Sequence, residues 1–356
     1  MNERTAALGR MTAGFADAAL LLSETNRFYF TGFAASDGVL LATKDEALFF
    51  TDSRYTEAAE KKLGKAYVRD SADLYHALNA IFAEKDVRTV AVEQDRLTLA
   101  QFAELKEKLP GVAFDDSPAL TRAVNGLRRN KAAWEIREIA EAQRIAEAGL
   151  NHILGFIKPG RTEKEIALEL EYYMLKNGAD GLSFETIAVS GVNSSLPHGV
   201  PGQKKVEAGD FLTLDFGALK NGYHSDMTRT VAVGYATDEM KRIYSVVAAA
   251  QRASLAVLKN GVTGFDADKA ARDVISEAGF GKCFGHGTGH GVGVEIHEAP
   301  NLSPRSKWTL QTGDVVTVEP GIYLPGEFGV RIEDMALITE NGCENLTAAP
   351  KELLIL

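Results

Sequence analysis

A twelve-residue segment occurs twice in the chain, and this repeat constrains the fold more than any other sequence feature. Val206–Gly217 aligns without a gap against Leu310–Gly321, and both share the pattern G-D-x-x-T-x-[D/E]-x-G. The acids Asp215 and Glu319 occupy equivalent positions in the two copies. A repeated supersecondary unit buries its apolar face against its own copy. The sequence therefore predicts two similar halves related by a pseudo-twofold axis.

A second pair of acids follows the first. After a turn containing Gly222 or Gly329, each repeat continues into another strand-like segment, which carries Asp226 in one half and Glu333 in the other. Two hairpins facing each other across the axis would bring all four carboxylates into one cleft. A charged carboxylate on a largely buried strand needs a partner or a metal ion. The four acids are thus candidate metal ligands.

The repeat also contains features with a purely structural interpretation. Asp210 and Asp314, the acids of the G-D dipeptides, are expected to stabilise turns that lead into strands. Upstream, Lys158–Thr162 resembles Lys259–Thr263, and each of these segments precedes a helical pattern. The repeat is therefore expected to include a helix in each half.

Two long helices are predicted between the N-terminal region and the first repeat. Asn130 is placed to cap an amphipathic helix that ends before Pro159-Gly160, with Trp134 among its regularly spaced apolar residues. Thr162 and Glu165 form a capping-box pattern for the next helix.

Residues 19–124 alternate between short apolar runs and helical patterns, which is typical of a small layered βα domain. Strands are predicted at 19–24, 27–33, 38–43, 47–52 and 89–95, and helices at 56–64, 73–85 and 98–109. The fold class is thus α/β (α+β), with an N-terminal domain over residues 1–124 and a catalytic domain over residues 130–356.

Composition excludes several kinds of partner. The net charge of −10 argues against nucleic acid and anionic lipid, which bind clustered Lys and Arg. No apolar run approaches a membrane-spanning length, and no secretory leader is apparent, so a cytoplasmic protein is expected. Cys283 and Cys343 are too few for a disulfide framework and are expected to be buried thiols.

Four of the seven histidines lie in or near the repeats, namely His198, His286, His290 and His297. The glycine-rich segment around His286 and His290 lacks the Lys-Ser/Thr of a phosphate-binding loop, which disfavours a nucleotide site. Four carboxylates and one neutral imidazole carry a charge near −4, which two divalent cations would neutralise. Such a donor set suits Mn²⁺, Co²⁺ or Zn²⁺ and predicts metal-assisted hydrolysis of an acyl bond. A serine hydrolase is disfavoured because no G-x-S-x-G motif occurs.

At this point the chain resembles the pita-bread metallopeptidases, which include Xaa-Pro aminopeptidase, Xaa-Pro dipeptidase (prolidase) and methionine aminopeptidase. The strings that carry the resemblance occur in family order over about residues 130–356: SLPHG, TLDFG, SDMTRT, GHGTGHGVG, IHEAP, VEPGIY and VRIED. The resemblance implies a C-terminal pita-bread domain that binds two divalent ions, with Mn²⁺ expected first and Co²⁺ or Zn²⁺ as alternatives. The implied metal ligands are Asp215, Asp226, His290, Glu319 and Glu333.

The resemblance also implies roles for other residues of the site. His198 and His297 would contact the substrate carbonyl, Glu319 would shuttle a proton, and His286 would line the proline-side pocket. Arg331 lies two residues before Glu333, so on a strand the two side chains share a face and the guanidinium can orient ligand carboxylates.

The N-terminal region favours the proline-specific branch of the family, whose members resemble this chain in carrying a βα-layered domain with a run like TDSRYTEAA. We therefore expect an Xaa-Pro aminopeptidase that acts on peptides with proline at the second position, with prolidase as the alternative. A homodimer is expected, in which the N-terminal domain contributes to dimerisation and covers the cleft. A metal-free binding module or a creatinase-like hydrolase is a further alternative, but both predict missing ligands.

Overall fold

The computed structural model describes residues 2–356. The chain divides into two compact units, the first ending at Arg128 and the second comprising Arg129–Leu356. Among the described residues, no helix has the length and apolar character required to cross a membrane.

The first unit is built on one six-stranded mixed sheet with the strand order β4-β3-β2-β1-β5-β6. Its strands are β1 (Ala18–Leu21), β2 (Val39–Thr43), β3 (Ala47–Thr51), β4 (Val68–Asp70), β5 (Thr89–Val92) and β6 (Ala113–Asp115). Its helices are α1 (Glu3–Thr12), α2 (Glu24–Thr31), α3 (Thr56–Leu63), α4 (Leu74–Glu84), α5 (Leu99–Lys108) and α6 (Ala119–Arg129), whose last residue opens the second unit. Strands β1, β2, β3 and β5 and helices α3, α4 and α5 confirm the sequence predictions for their segments.

The predicted strand at 27–33 is wrong, because this segment belongs to helix α2. Ser23 lies at the N-cap position, and Gly32 ends the helix in the left-handed conformation with φ 66°. Tyr29 and Phe30 are buried on this helix rather than on a strand. A short apolar run is too short for its periodicity to distinguish a strand from a helix. Here the flanking residues Ser23 and Gly32 favour the helix.

The second unit contains four α-helices, two short 3-10 helices and thirteen short strands among its described residues. The helices are α7 (Ala133–Phe156), α8 (Glu163–Lys176), α9 (Asp238–Val257) and α10 (Gly264–Glu277). The strands are β7 (Gly181–Leu182), β8 (Ile187–Ser190), β9 (Phe211–Phe216), β10 (Ala218–Lys220), β11 (Tyr223–His224), β12 (Met227–Ala232), β13 (Gly289–Gly291), β14 (Glu298–Leu302), β15 (Val315–Val318), β16 (Gly321–Leu324), β17 (Phe328–Arg331), β18 (Asp334–Ile338) and β19 (Cys343–Asn345).

Two antiparallel sheets of this unit carry the repeats. One has the order β12-β9-β8 and the other β14-β13-β15-β18-β19, while β16 and β17 form a separate hairpin. Helices α7 and α8 pack with β9 and β12 in one apolar core. In the other half, helices α9 and α10 pack with β15 and β18 in a second apolar core. Each repeat therefore combines an antiparallel strand pair with helices, as the repeated sequence predicts.

Equivalent contacts at the start of the repeated helices confirm the internal symmetry. Thr162 caps α8 and Thr263 caps α10, each accepting a hydrogen bond from the backbone N–H three residues on. Thr162 forms an isolated bridge with Lys205, and Thr263 forms one with Thr309. Lys205 and Thr309 each lie one residue before the aligned segments, so the two bridges are equivalent.

The G-D dipeptides take the predicted structural role. Asp210 accepts a hydrogen bond from the Glu207 backbone N–H at 3.0 Å, and Asp314 accepts the equivalent bond from Gln311 at 2.8 Å. These side chains close the turns that lead into β9 and β15, which is an ordinary role for aspartate.

Several local predictions for the second unit are wrong. Helix α7 begins at Ala133, and its first turn is stabilised by Glu135, which accepts from the Ala132 N–H, rather than by a cap at Asn130. Trp134 is 43 % exposed, because the second helical position still faces away from the core. Gly329 lies within β17, and the turn of that hairpin is formed at Gly326 with φ 79°.

The two cysteines are free and half-buried, so the prediction of buried thiols is only partly correct. Cys343 contributes its sulfur as a donor to the Leu255 carbonyl at 3.5 Å. Burial raises the pKa of the Cys343 thiol above its ordinary value, which keeps it protonated at neutral pH.

Candidate active site

The strand pairs place four acids on one wall of the second unit. Asp215 lies on β9, opposite Thr228 of β12, and Asp226 immediately precedes β12. Glu319 follows the last residue of β15, and Glu333 lies between β17 and β18. Each half of the repeat therefore contributes one acid at the end of its first strand, Asp215 or Glu319. It contributes a second acid directly before the strand that pairs with the first, Asp226 or Glu333.

His290 reaches these acids from β13. A register irregularity between His290 and Gly291 interrupts the pairing of this strand, as β-bulges do where a side chain is redirected toward a site. The His290 Nε2 atom lies 3.5 Å from Asp226 Oδ2 and 3.6 Å from Glu319 Oε1. Ligand atoms of Asp226, His290 and Glu333 all lie within 4.8 Å of one another.

Burial and mutual repulsion make these carboxylates costly to ionise without a cation. Burial raises the pKa of Asp226 well above its ordinary range, and Asp215 and Glu319 raise it further. Burial and the Asp226 charge do the same for the pKa of Glu333. Burial raises the pKa of Glu319 to about 8. Positive charge is therefore needed to stabilise Asp226, Glu319 and Glu333 in ionised form.

The imidazoles of the site are held in the neutral form. Burial lowers the pKa of His290 to about 4, and the nearby His297 lowers it further. Burial, followed by the Arg331 charge, lowers the pKa of His286 to about 4. A neutral imidazole can coordinate a metal ion through one nitrogen and donate a hydrogen bond from the other.

Arg331 connects the two halves of the site. Its guanidinium donates to Asp215 Oδ2 at 2.5 Å, to Thr228 Oγ1 at 3.0 Å and to the Tyr323 hydroxyl at 2.7 Å. Thr228 in turn donates to Glu333 Oε2 at 2.7 Å. The expected contact between Arg331 and the carboxylates therefore exists directly with Asp215, and it reaches Glu333 through Thr228.

Tyr323 and Thr228 are site residues that the sequence analysis missed. The Tyr323 hydroxyl lies 2.9 Å from His286 Nε2 and also accepts from Arg331, and burial raises the pKa of Tyr323 to about 12. Both residues lie inside the quoted strings VEPGIY and SDMTRT, yet only their contacts distinguish them from ordinary strand residues. Thr228 could have been found from its position directly opposite Asp215 in a paired-strand prediction.

Every residue predicted for the site lines one cavity. The volume of this cavity is about 940 Å³. The predicted residues that line it are His198, Asp215, Asp226, His286, His290, His297, Glu319, Arg331 and Glu333. The rings of His290 and His297 lie edge to face with centroids 4.3 Å apart, so His297 lies directly beside the proposed ligand His290. His198 is itself exposed, and it contributes to the lowering of the pKa values of both His286 and His297.

The donor set fits divalent metal ions. Asp215 Oδ1 is buried, and the described protein atoms offer it no hydrogen-bond partner, although its other oxygen bonds Arg331. A buried carboxylate oxygen without a partner is unfavourable unless a cation completes its environment. Carboxylate oxygens with one imidazole are the ligands that Mn²⁺, Co²⁺ and Zn²⁺ accept.

Carboxylates from both halves of a repeat, one neutral imidazole and further histidines on the same cavity wall are typical of a metal-dependent hydrolase. Comparison with known proteins gives the particular family. Residues 137–340 match the Metallopeptidase family M24, and residues 4–129 match the Creatinase/Prolidase N-terminal domain. The chain belongs to metallopeptidase family M24 and has its pita-bread fold. It is therefore a peptidase, and the family implies divalent metal ions.

Similar proteins match over nearly their whole length. An Xaa-Pro dipeptidase of Pyrococcus furiosus is 37% identical over 99% of this chain and 100% of its own. The structure of an Xaa-Pro dipeptidase from Bacillus anthracis has a TM-score of 0.93 and 44% identity, covering 98% of this chain and 99% of that one. An X-Pro aminopeptidase structure from Thermotoga maritima has a TM-score of 0.90 and 38% identity, covering 98% of this chain and 100% of that one.

Proposed function

We propose that the protein is an Xaa-Pro dipeptidase that releases proline from dipeptides. The observation that carries this proposal is the similarity, over nearly the full length of both chains, to the dipeptidases of Pyrococcus furiosus and Bacillus anthracis. The aminopeptidase activity expected first from the sequence has weaker support, which comes from the Thermotoga maritima structure. It remains the second candidate, since both activities would use the same reacting groups.

We propose that Asp215, Asp226, His290, Glu319 and Glu333 hold two divalent metal ions, with Mn²⁺ expected first. Four carboxylates and one neutral imidazole match the charge of two such ions, and Arg331 compensates part of the charge on Asp215. Bound divalent cations withdraw electron density from a carbonyl group and lower the pKa of water.

Glu319 is proposed to move the proton. Its Oε1 atom lies 3.4 Å from the Thr317 hydroxyl, and its Oε2 atom lies 4.0 Å from His286 Nδ1. A carboxylate in this position can accept a proton from the attacking water and deliver it to the nitrogen of the departing proline. The leaving group needs this proton, because an amine leaves far more readily than an amide anion.

His198 and His297 are proposed to stabilise the oxygen on which negative charge develops. Burial lowers the pKa of His297, so its imidazole is neutral near neutral pH and can donate one hydrogen bond. Donors that are fixed in place before the reaction stabilise a developing oxyanion without reorganisation.

His286 is proposed to form one wall of the pocket for proline. Its ring lies edge to face against Phe284 with centroids 5.0 Å apart, and Tyr323 fixes its Nε2 atom. An Xaa-Pro bond has no N–H on the proline side, so a peptidase must recognise the ring by shape rather than by a backbone hydrogen bond.

The test compares a dipeptide, a tripeptide and a control without proline. Mn²⁺-loaded protein is assayed on Ala-Pro, Ala-Pro-Ala and Ala-Ala, with Asp226→Ala as the inactive control. Cleavage of Ala-Pro with little cleavage of the tripeptide supports the dipeptidase. Comparable kcat/KM on both proline substrates supports the aminopeptidase. Cleavage of neither would overturn both proposals.

The predicted homodimer, the cytoplasmic location and the roles of residues 1–124 in dimerisation and cleft covering stay predictions. Light scattering on the purified protein tests the first, and fractionation of the source cells tests the second. A variant consisting of residues 1–124 alone tests their role in dimerisation. If the N-terminal domain provides the interface, this variant should dimerise without the catalytic domain.

A further inference from the structure

Glu163, the first residue of α8, is a buried carboxylate outside the group of proposed ligands. It is 0 % exposed. Its Oε1 atom accepts from the Ser190 N–H at 2.7 Å, from the Ser190 hydroxyl at 3.0 Å and from the Asn193 amide at 3.1 Å. Its Oε2 atom accepts from Asn193 at 3.2 Å and from the Gly202 N–H at 3.2 Å. The carboxylate thus accepts five hydrogen bonds, from backbone and side-chain donors of the single segment 190–202.

This stretch is the segment that carries His198. Ser190 ends β8, Gly202 lies beyond His198, and the one carboxylate of Glu163 joins them. Between these points the chain forms a short 3-10 helix, Gly191–Ser195, and then irregular structure with no strand pairing of its own. The position of His198 therefore depends on the points at which its segment is fastened.

Asp268 on α10 fastens a different segment, and it is 1 % exposed. It accepts from the Thr288 N–H at 3.0 Å and from the Thr288 hydroxyl at 2.9 Å. It also pairs with Arg272, whose guanidinium donates to the carbonyls of Phe284 at 2.9 Å and His286 at 2.7 Å. The pair Asp268–Arg272 therefore holds the backbone on both sides of the His286 side chain.

Glu163 and Asp268 lie on the equivalent helices α8 and α10, at positions that differ by one helical turn when the two halves are aligned. The residue equivalent to Glu163 in the second half is Gly264, where an added Cβ would lie 2.2 Å from the Asn301 carbonyl oxygen. No side chain fits there. Asp268 lies four residues further along α10, on the same helix face, and takes over the role. Each half therefore has a buried carboxylate near the start of its helix that bonds the segment of one site histidine.

We propose that Glu163 and Asp268 are positioning residues, the first for His198 and the second for His286. This inference rests on the proposed function, in which His198 stabilises the developing oxyanion and His286 contacts the proline ring. Glu163 should therefore act on kcat, and Asp268 should act on KM. A residue that only stabilises the fold would not separate the two kinetic constants.

The magnitude follows from the sensitivity of catalysis to position. Glu163→Gln replaces one acceptor oxygen by an NH₂ group, which faces at least one N–H donor and cannot bond it. The His198 segment then loses one of its fastened ends. Displacement of a reacting group by about 1 Å costs on the order of a hundredfold, and loss of residues that orient other groups costs about 10–100-fold. We expect kcat to fall about 10–100-fold with KM nearly unchanged.

The test is a pair of double-mutant cycles on the full-length, metal-loaded protein. Glu163→Gln is combined with His198→Ala, and the same substitution is combined with His286→Ala as the matched control. If Glu163 acts through His198, its substitution changes kcat less than about twofold in the His198→Ala background and keeps its full effect in the His286→Ala background. Asp268→Asn should show the reverse pattern, with its effect on KM. Metal content is measured for every variant, because Thr288 also contacts the backbone of Glu319.

An equal loss of kcat from Glu163→Gln in the wild-type, His198→Ala and His286→Ala backgrounds would overturn the inference. Unchanged kinetic constants for Glu163→Gln would overturn it as well. If Glu163→Gln lacks a cooperative unfolding transition, Asn193→Ala removes a single donor and is put through the same cycle, with a smaller effect of the same pattern expected.

Failure of the proposed function is recognised separately, because the wild-type protein then cleaves no Xaa-Pro peptide. In that case, backbone amide exchange decides the structural part. Glu163→Gln should accelerate exchange within residues 191–201, and Asp268→Asn should accelerate it within residues 284–288. Unchanged exchange in both segments would overturn the inference on its own.

Discussion

Removal of the metal ions should give the protein an unusual dependence of stability on pH. The pKa of Glu319 lies at about 8 in the metal-free fold, well above its ordinary value of 4.5, because burial disfavours the charged form. An acid with a raised pKa in the folded state stabilises that state at low pH. The stabilisation is lost as the pH rises from the unfolded value toward the folded one. The metal-free protein should therefore become less stable on going from neutral to mildly alkaline pH.

Four histidines with lowered pKa values act in the opposite direction, mainly at lower pH: His224, His286, His290 and His297. The pKa values of His286 and His290 are lowered from 6.5 to about 4, so the stability they contribute increases as the pH rises from about 4 to 6.5. At pH 6.5 a histidine in the unfolded chain is still half protonated, so these histidines offset part of the carboxylate effect up to about pH 7.5. The Glu319→Gln variant carries the same histidines, so its difference from the wild-type protein isolates Glu319 over the interval from pH 6.5 to 8.

The size of the effect follows from linkage. At about 1.4 kcal/mol per pH unit, Glu319 alone lowers the free energy of unfolding by about 2 kcal/mol between pH 6.5 and 8. Asp226 and Glu333, whose pKa values are raised by burial and by neighbouring carboxylates, act in the same direction. Bound cations keep these acids ionised at all these pH values, so the metal-loaded protein should show no comparable loss.

The assay is urea unfolding of chelator-treated and of Mn²⁺-loaded protein at several pH values between 6.5 and 8. Glu319→Gln provides the matched control, because it keeps the size of the side chain and removes its titration. This variant should show a shallower decline in the metal-free form. An equal decline in the wild-type protein and in Glu319→Gln, with elemental analysis confirming the absence of metal, would refute the raised pKa of Glu319.

Three further perturbations test the site and the strands that support it. Asp226→Asn removes one ligand charge and should lower metal content after dialysis at least about tenfold, as measured by elemental analysis; full retention would exclude Asp226 as a ligand. Arg331→Lys should lower kcat/KM about 10–100-fold, because an ammonium group cannot make the several hydrogen bonds of the planar guanidinium, which include the bond to Asp215. A kcat/KM equal to that of the wild-type protein would contradict this. Gly217→Ala places a Cβ 1.9 Å from a backbone oxygen and should lower the free energy of unfolding by at least about 1–3 kcal/mol. Gly155→Ala is the control, because its added Cβ meets no atom within 4 Å and should not destabilise the protein. Equal unfolding midpoints of the two variants in urea would refute the steric argument.

The amino-acid sequence by itself determined the elements whose signals are local. The repeated pattern placed Asp215 and Glu319 at equivalent positions, and the capping box at Thr162 predicted the start of α8. Capping, turn chemistry and hydrophobic periodicity act within a few residues, so they can be recognised without knowing the fold. The same locality explains the wrong strand at 27–33, where a short apolar run fits a strand or a helix equally well.

Only the tertiary structure decided which side chains meet. Arg331 contacts Asp215, which lies 116 residues earlier in the chain, and the Tyr323 hydroxyl links that arginine to His286. Glu163 carries no signal in the sequence analysis, whereas in the fold its carboxylate bonds both ends of the segment that contains His198. Such contacts depend on how strands and helices pack across large sequence separations. Local propensities carry no information about these distances, so the predicted residues became a site only when the two halves of the repeat came together.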